Sequence, residues 1–164
     1  MKTIVLTQGY VTMVDDWNYE RLNRYKWHVT KRHVYLYATR SYSCKGHKNS
    51  IGMHNVIIGI KGVDHINGNG LDNRECNLRP ASRSQNAANR GPQKNNTSGY
   101  KGVYWHAKMK KWRAMIMVKP KLKSLGLFDD IKDAANAYNE AAKKYYGNYA
   151  KLNNPKIEFE EAET

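Results

Sequence analysis

Cysteine is scarce in this sequence: only Cys44 and Cys76 are present, with no metal-ligand spacing between them. That excludes a disulfide framework and a four-cysteine zinc site. Long apolar runs are missing too. Residues 56–60 form one of the longest, far below the roughly 18 residues of a membrane-spanning helix. Residues 1–6 carry too short an apolar stretch for a secretory signal. Acidic side chains are few, 14 Asp and Glu against 28 Lys and Arg in 164 residues, a formal charge of +14. The expectation is a soluble protein of a reducing compartment with a polyanionic partner and no membrane association.

The charge is divided along the chain. Residues 1–93 carry 14 basic and 6 acidic groups, residues 94–151 carry 13 and 4, and residues 152–164 carry one Lys and four Glu. Two basic regions followed by an acidic tail predict two or more nucleic-acid contacts on one chain. The seam between them is residues 91–99, rich in Gly, Pro, Asn and Ser. Upstream, residues 3–6 and 10–14 read as strands around a turn at Gln8-Gly9, and residues 34–38 as another strand. A short helix starts at Asp15-Asp16 and runs through Trp17, Leu22 and Tyr25. Residues 51–60 are ambiguous by periodicity and read as a short helix, with His54 as a structural residue or, just ahead of the core, a DNA contact. His28, His33 and His47 are expected in solvated loops or strands.

Residues 62–89, GVDHINGNGLDNRECNLRPASRSQNAAN, concentrate the chemistry. Asn, Asp and Gly at this density favour turns and supply oxygen ligands. The order is a strand at 63–66, a polar loop, a strand around Leu78, then a helix capped by Ser82 and stopped by Gly91. Histidine, with a pKa near ~6.5, suits proton abstraction at neutral pH, and this assigns His65 as general base. A hard divalent cation wants oxygens, which Asp64 and the Asn86 amide offer. Neighbours on a strand point to opposite faces, so Asp64 and His65 serve different atoms, one the metal and the other the water. Asn77 reads as a hydrogen-bonder fixing the loop behind His65, and Asp72-Asn73 as a loop-closing turn pair.

This segment resembles the ββα-metal core of the HNH endonuclease family, most closely its homing-endonuclease branch. The matching positions are Asp64-His65, Asn77 and Asn86. The resemblance implies an enzyme: a site-specific DNA endonuclease of phage or intron type that hydrolyses one phosphodiester with one Mg²⁺ or Mn²⁺. It implies no zinc and no small-molecule cofactor. The protein would be a monomer or weak dimer, nicking duplex DNA in the cytoplasm of a bacterial host. Arg83, Asn89 and Arg90 on and after the helix would contact DNA. The rival reading is a non-catalytic, sequence-specific DNA-binding regulator, and aromatic content also admits RNA.

From residue 98 the pattern changes. Residues 100–105 are strand-like, residues 111–118 alternate apolar and polar, and residues 123–128 form a third strand. Asp130 caps a helix carrying Ile131, Ala134, Ala135, Tyr138, Ala142 and Tyr145 at helical spacing, stopped by Gly147. The unit SGYKGVYW…KWRAMI…LGLFD…AANAYNEAAKKYYGNYAKLN resembles the AP-two DNA-binding domain of plant ethylene-response factors. That implies a sheet face meeting DNA through Lys101, Tyr104, His106, Met115, Met117, Leu122 and Ser124. Most of the family's base-reading arginines are absent here, so Lys108, Lys110, Lys111, Arg113 and Lys123 are expected on phosphates instead.

The expected fold class is α+β. Its parts are a β-rich DNA-contacting region at 1–50, the nuclease core at 51–91, a linker at 92–98, the three-stranded sheet and helix at 99–153, and an acidic tail at 154–164.

Overall fold

A computed structural model describes residues 1–118 and 121–154. It is an α+β protein whose backbone divides into two compact units, the first Met1–Asn86 and the second beginning at Ala87. The tail at 155–164 lies outside the described residues. Among the described residues no helix is long and apolar enough to cross a membrane.

In the first unit, β1 (Lys2–Val5) and β2 (Val11–Val14) form an antiparallel hairpin turned at Gly9, where φ is +77°. Helix α1 (Asp16–Asn23) follows. Strands β3 (His28–Arg32), β4 (Tyr35–Cys44) and β5 (His47–Gly52) make a three-stranded antiparallel sheet with β4 in the centre. The sequence pattern shows only part of β4, because β3 and β5 are polar and gain their place from pairing. Helix α2 (Met53–Ile58) is shorter than the expected 51–60, since residues 47–52 continue as strand. The core joins Ile4, Leu6, Val14, Leu22, Trp27, Ala38 and Met53. Burying side chains of this kind supplies roughly 1.5–3 kcal/mol each for the large ones. A second hairpin, β6 (Val63–His65) with β7 (Leu78–Pro80), leads into α3 (Arg83–Ala88).

The expected boundary at residue 50 is absent. Met13 on β2 bridges Asp72, Met13 N donates to Leu71 O, and Asn73 N donates to Met13 O. These bonds make the N-terminal strands and the long loop of the β6–β7 hairpin one folded unit.

The second unit holds β8 (Val103–His106), β9 (Lys111–Val118) and β10 (Lys121–Phe128) in the order β10-β9-β8, backed by α4 (Ile131–Tyr146). Val103, Ala114 and Ile116 on the sheet meet Ala134, Ala135, Tyr138, Ala141 and Ala142 on the helix. The small alanine face brings α4 close to the sheet. At Gly102, φ +75°, a Cβ would strike the Tyr138 ring at 2.3 Å, so only glycine fits. The Asp130 carboxylate accepts from Lys132 N at the helix start. The expected linker is partly folded: Ser98 Oγ donates to Val103 O and Asn96 Nδ2 to Tyr100 O. Asn153 closes the unit, bonding both backbone polar groups of Lys101 and both side-chain ends of Asn139 through its backbone.

Candidate active site

The β6–β7 hairpin places Asp64 directly across from Arg79 and His65 across from Leu78. Alternation along β6 sends the two side chains to opposite faces. On one face Arg79 donates from Nε (3.0 Å) and Nη2 (2.8 Å) to Asp64 Oδ2. Asp64 is 4 % exposed, so this guanidinium is the counter-charge of a buried carboxylate.

On the other face His65, 5 % exposed, meets Asn73 through Nε2···Oδ1 at 3.2 Å. The direction of that bond follows from the next one. Asn73 Nδ2 donates to Thr12 Oγ1 at 2.8 Å, and Thr12 Oγ1 donates to Leu71 O at 2.7 Å. Asn73 therefore presents its oxygen to the imidazole, His65 carries hydrogen on Nε2, and Nδ1 holds the lone pair. Burial lowers the His65 pKa from its usual value, against the bond to Asn73 and the nearby Asp64 and Asp72 charges, which raise it.

Asn77 holds the loop between the strands. Its Oδ1 accepts from Asn67 N, and its Nδ2 donates to Asn67 Oδ1 and to Asp72 O. Asp72 is fully enclosed, accepting two bonds from Arg74 and one from Asn67, and Arg74 holds its carboxyl below the ordinary value. Gly70 lets the loop press onto β4, where a Cβ would lie 2.2 Å from Leu36 O.

Helix α3 begins with a reciprocal cap. Ser82 Oγ accepts from Gln85 N, and Gln85 Oε1 accepts from Ser82 N. Asn86 then lies one turn in, where its Nδ2 donates to Val63 O at 3.4 Å. That bond ties the Asn86 amide to the residue preceding Asp64 and leaves Oδ1 without a protein donor among the described residues. Asp64 and Asn86 are the two side chains expected to offer oxygens to a cation, and Asp64 Oδ2 is engaged by Arg79.

Asp72-Asn73 is more than a turn pair: Asn73 orients the His65 ring, and its anchor Thr12 lies sixty-one residues upstream, which no local pattern reveals. His54, expected as a structural residue, packs beside His65. Its ring stands edge-on to that of His65 at 5.0 Å, and Tyr37 lies 5.9 Å from each. Burial first, then the neighbouring His65 and Arg32, lower its pKa to about 4.

That depression has a measurable consequence. The unfolded chain takes up a proton at His54 near pH 6.5, but the folded chain resists until about pH 4. The stabilisation is complete above pH 6.5 and is lost as pH falls through 4, by about 3 kcal/mol in all. His54→Phe is expected to flatten the acid side of the stability curve, where the lowered His65 pKa acts in the same direction. Urea midpoints of both proteins at pH 7 and pH 4.5 check this; parallel losses would contradict it.

In the second unit, the register puts Tyr104, Arg113 and Leu127 in one outward row, with Met115 beside Ser124 and Met117 beside Leu122. Tyr104 is exposed and Arg113 half-buried, and Lys108 is exposed at the β8–β9 turn. Lys111 pairs with Asp129 at 3.0 Å, Lys123 lies on the Tyr145 ring, and His106 Nδ1 accepts from Met109 N. Lys101 is the correction. It was expected to face DNA, but its ammonium donates to Ala87 O, Ala88 O and Arg90 O. The carbonyl end of a helix attracts a cation, here beside the backbone bonds that Ala87 O and Ala88 O accept from Arg90 N and Lys151 N, and burial lowers the Lys101 pKa to about 8. Arg83 and Arg90 are exposed and Asn89 half-buried.

Fold and site together define an α+β protein with a buried Asp–Arg pair and a tethered histidine on one short hairpin. No family profile matches the sequence, and no solved structure matches it. Ninety residues, 55 % of the chain, align at 32 % identity with Protein 3.8 of Escherichia phage T7, covering 74 % of that protein. The chain belongs to the family of Protein 3.8.

Proposed function

We propose that this chain is a metal-dependent DNA endonuclease of the HNH kind, cutting one phosphodiester of duplex DNA per site. The observation that carries the reading is the hairpin–helix arrangement. Asp64 and His65 occupy opposite faces of one strand, and Asn86 on α3 is bonded to the carbonyl just before them.

Phosphodiester hydrolysis needs an activated water, neutralisation of the phosphate and help for the departing 3′-oxygen. His65 Nδ1 takes the proton from water, with Asn73 fixing the tautomer that leaves this nitrogen basic. His54, held uncharged beside it, keeps the ring environment apolar. Asp64 and Asn86 Oδ1 would hold the cation. One Mg²⁺ or Mn²⁺ fits a set of two protein oxygens, because such ions keep several waters and take others from substrate phosphate. When bound, the cation supplies charge neutralisation at the phosphate and the leaving oxygen. Arg79, which occupies Asp64 Oδ2, turns from the carboxylate to the phosphate as substrate enters.

The second unit grips DNA, its basic groups Lys108, Arg113 and Lys123 meeting phosphates. Its AP-two-like sheet face supplies Tyr104, Met115, Met117 and Leu122 beside them. Supercoiled plasmid is expected to become nicked with Mg²⁺ or Mn²⁺ and to stay intact in EDTA. Full cutting in EDTA, or stoichiometric zinc in the purified protein, contradicts the proposal. The second reading, a non-catalytic DNA-binding regulator, draws on the burial of Asp64 and His65. It predicts duplex binding without nicking under any metal.

A further inference from the structure

Strands β4 and β5 run on beyond their own sheet. Pairing with β3 stops at His28↔Thr39, while β4 and β5 continue together from Arg40↔Ile51 to Cys44↔His47. Every residue from 41 to 50 is exposed, so this stretch is a two-stranded ribbon that buries neither face. A lone two-stranded hairpin is marginal in water, and this one adds nothing to the core. It is closed by Lys45 and Gly46, both with left-handed φ, +51° and +76°. Its charge is of one sign. Between Glu20 and Asp64 there is no Asp or Glu, against nine Lys and Arg. Lys45 and Lys48 lie on the ribbon, Arg40 at its root, and Lys31 and Arg32 on β3.

We infer that the ribbon of residues 41–50 inserts into the major groove of duplex DNA. The inference rests on the DNA-cleaving reading for its partner and adds the surface that reads the substrate. The major groove is about 12 Å wide and 8.5 Å deep and admits a two-stranded ribbon, whereas the minor groove, about 6 Å wide, does not. From Arg40 to the turn the strand spans roughly 16 Å at ~3.3 Å per residue, enough to reach the groove floor. Lys45 and Lys48 meet the phosphates. Tyr42 and Asn49, opposite one another across the strands, present a hydroxyl and an amide together to base edges. The deep, narrow major groove of duplex RNA excludes the same fit.

The test replaces residues 42–49 of the full chain by Asn-Gly, a two-residue turn joining Ser41 to Ser50. A full-length Lys45→Glu, Lys48→Glu variant accompanies it, so that the answer does not hang on one fold. Binding is measured against salt on plain duplex DNA and on DNA whose major groove is filled by glucosylated hydroxymethylcytosine. The wild type should bind the filled duplex about tenfold more weakly, and the shortened chain should lose most of that preference, keeping only what the second unit contributes. Loss of two phosphate contacts should reduce the slope of log K against log salt by about 1.8 in both variants. Wild-type slope and groove preference in both variants overturn the inference alone. A wild type that binds no duplex DNA overturns it together with the nuclease reading.

Discussion

His65→Ala is expected to slow DNA nicking by about 10² to 10⁴, the range for losing a general base, while duplex affinity stays within twofold. The separation follows from position. His65 is buried and bonded to Asn73, so its loss removes a basic nitrogen and no surface for DNA. Asn73→Ala should reproduce part of the loss, because an imidazole released from Asn73 no longer has a fixed tautomer. Single-turnover nicking beside equilibrium binding checks both. Equal cutting by His65→Ala and wild type removes the assignment of the base.

Arg79→Ala is expected to lower stability by about 3–5 kcal/mol in EDTA, because it strands the Asp64 carboxylate in a buried site. Saturating Mg²⁺ should recover part of that loss, since a cation on Asp64 binds only the folded chain. In the wild type the same addition should stabilise less, because the cation must displace Arg79. Urea unfolding of the two proteins, with and without Mg²⁺, measures all four values. A loss below about 1 kcal/mol would mean that water already reaches Asp64 and that the pair is weak.

The parts of the fold legible in the sequence are those whose signal is local. Helix α4 has its alanine face, the Asp130 cap and the Gly147 stop within eighteen residues. Strand β9 alternates because one face lies on α4. Strands β3 and β5 carry no such alternation; His28–Arg32 and His47–Gly52 are mostly polar, and only their partners on β4 make them strands. The site divides in the same way. Asp64, His65, Asn77 and Asn86 lie within one short span of distinctive spacing. Asn73 acquires its part through Thr12 on a distant hairpin, and His54 through a ring contact that exists only after α2 docks. Lys101 shows the converse failure. It looks like surface charge until the end of α3 places three carbonyls around it.

The chemistry of the cut ends tests the central claim most directly. Attack of water on phosphorus with departure of the 3′-oxygen leaves a 5′-phosphate beside a 3′-hydroxyl, the ends that DNA ligase joins. Supercoiled plasmid incubated with the full chain and Mg²⁺, freed of protein and treated with ligase, should be nicked and then resealed. Plasmid that stays supercoiled under Mg²⁺ and Mn²⁺, or nicks that ligase cannot close, would contradict the account.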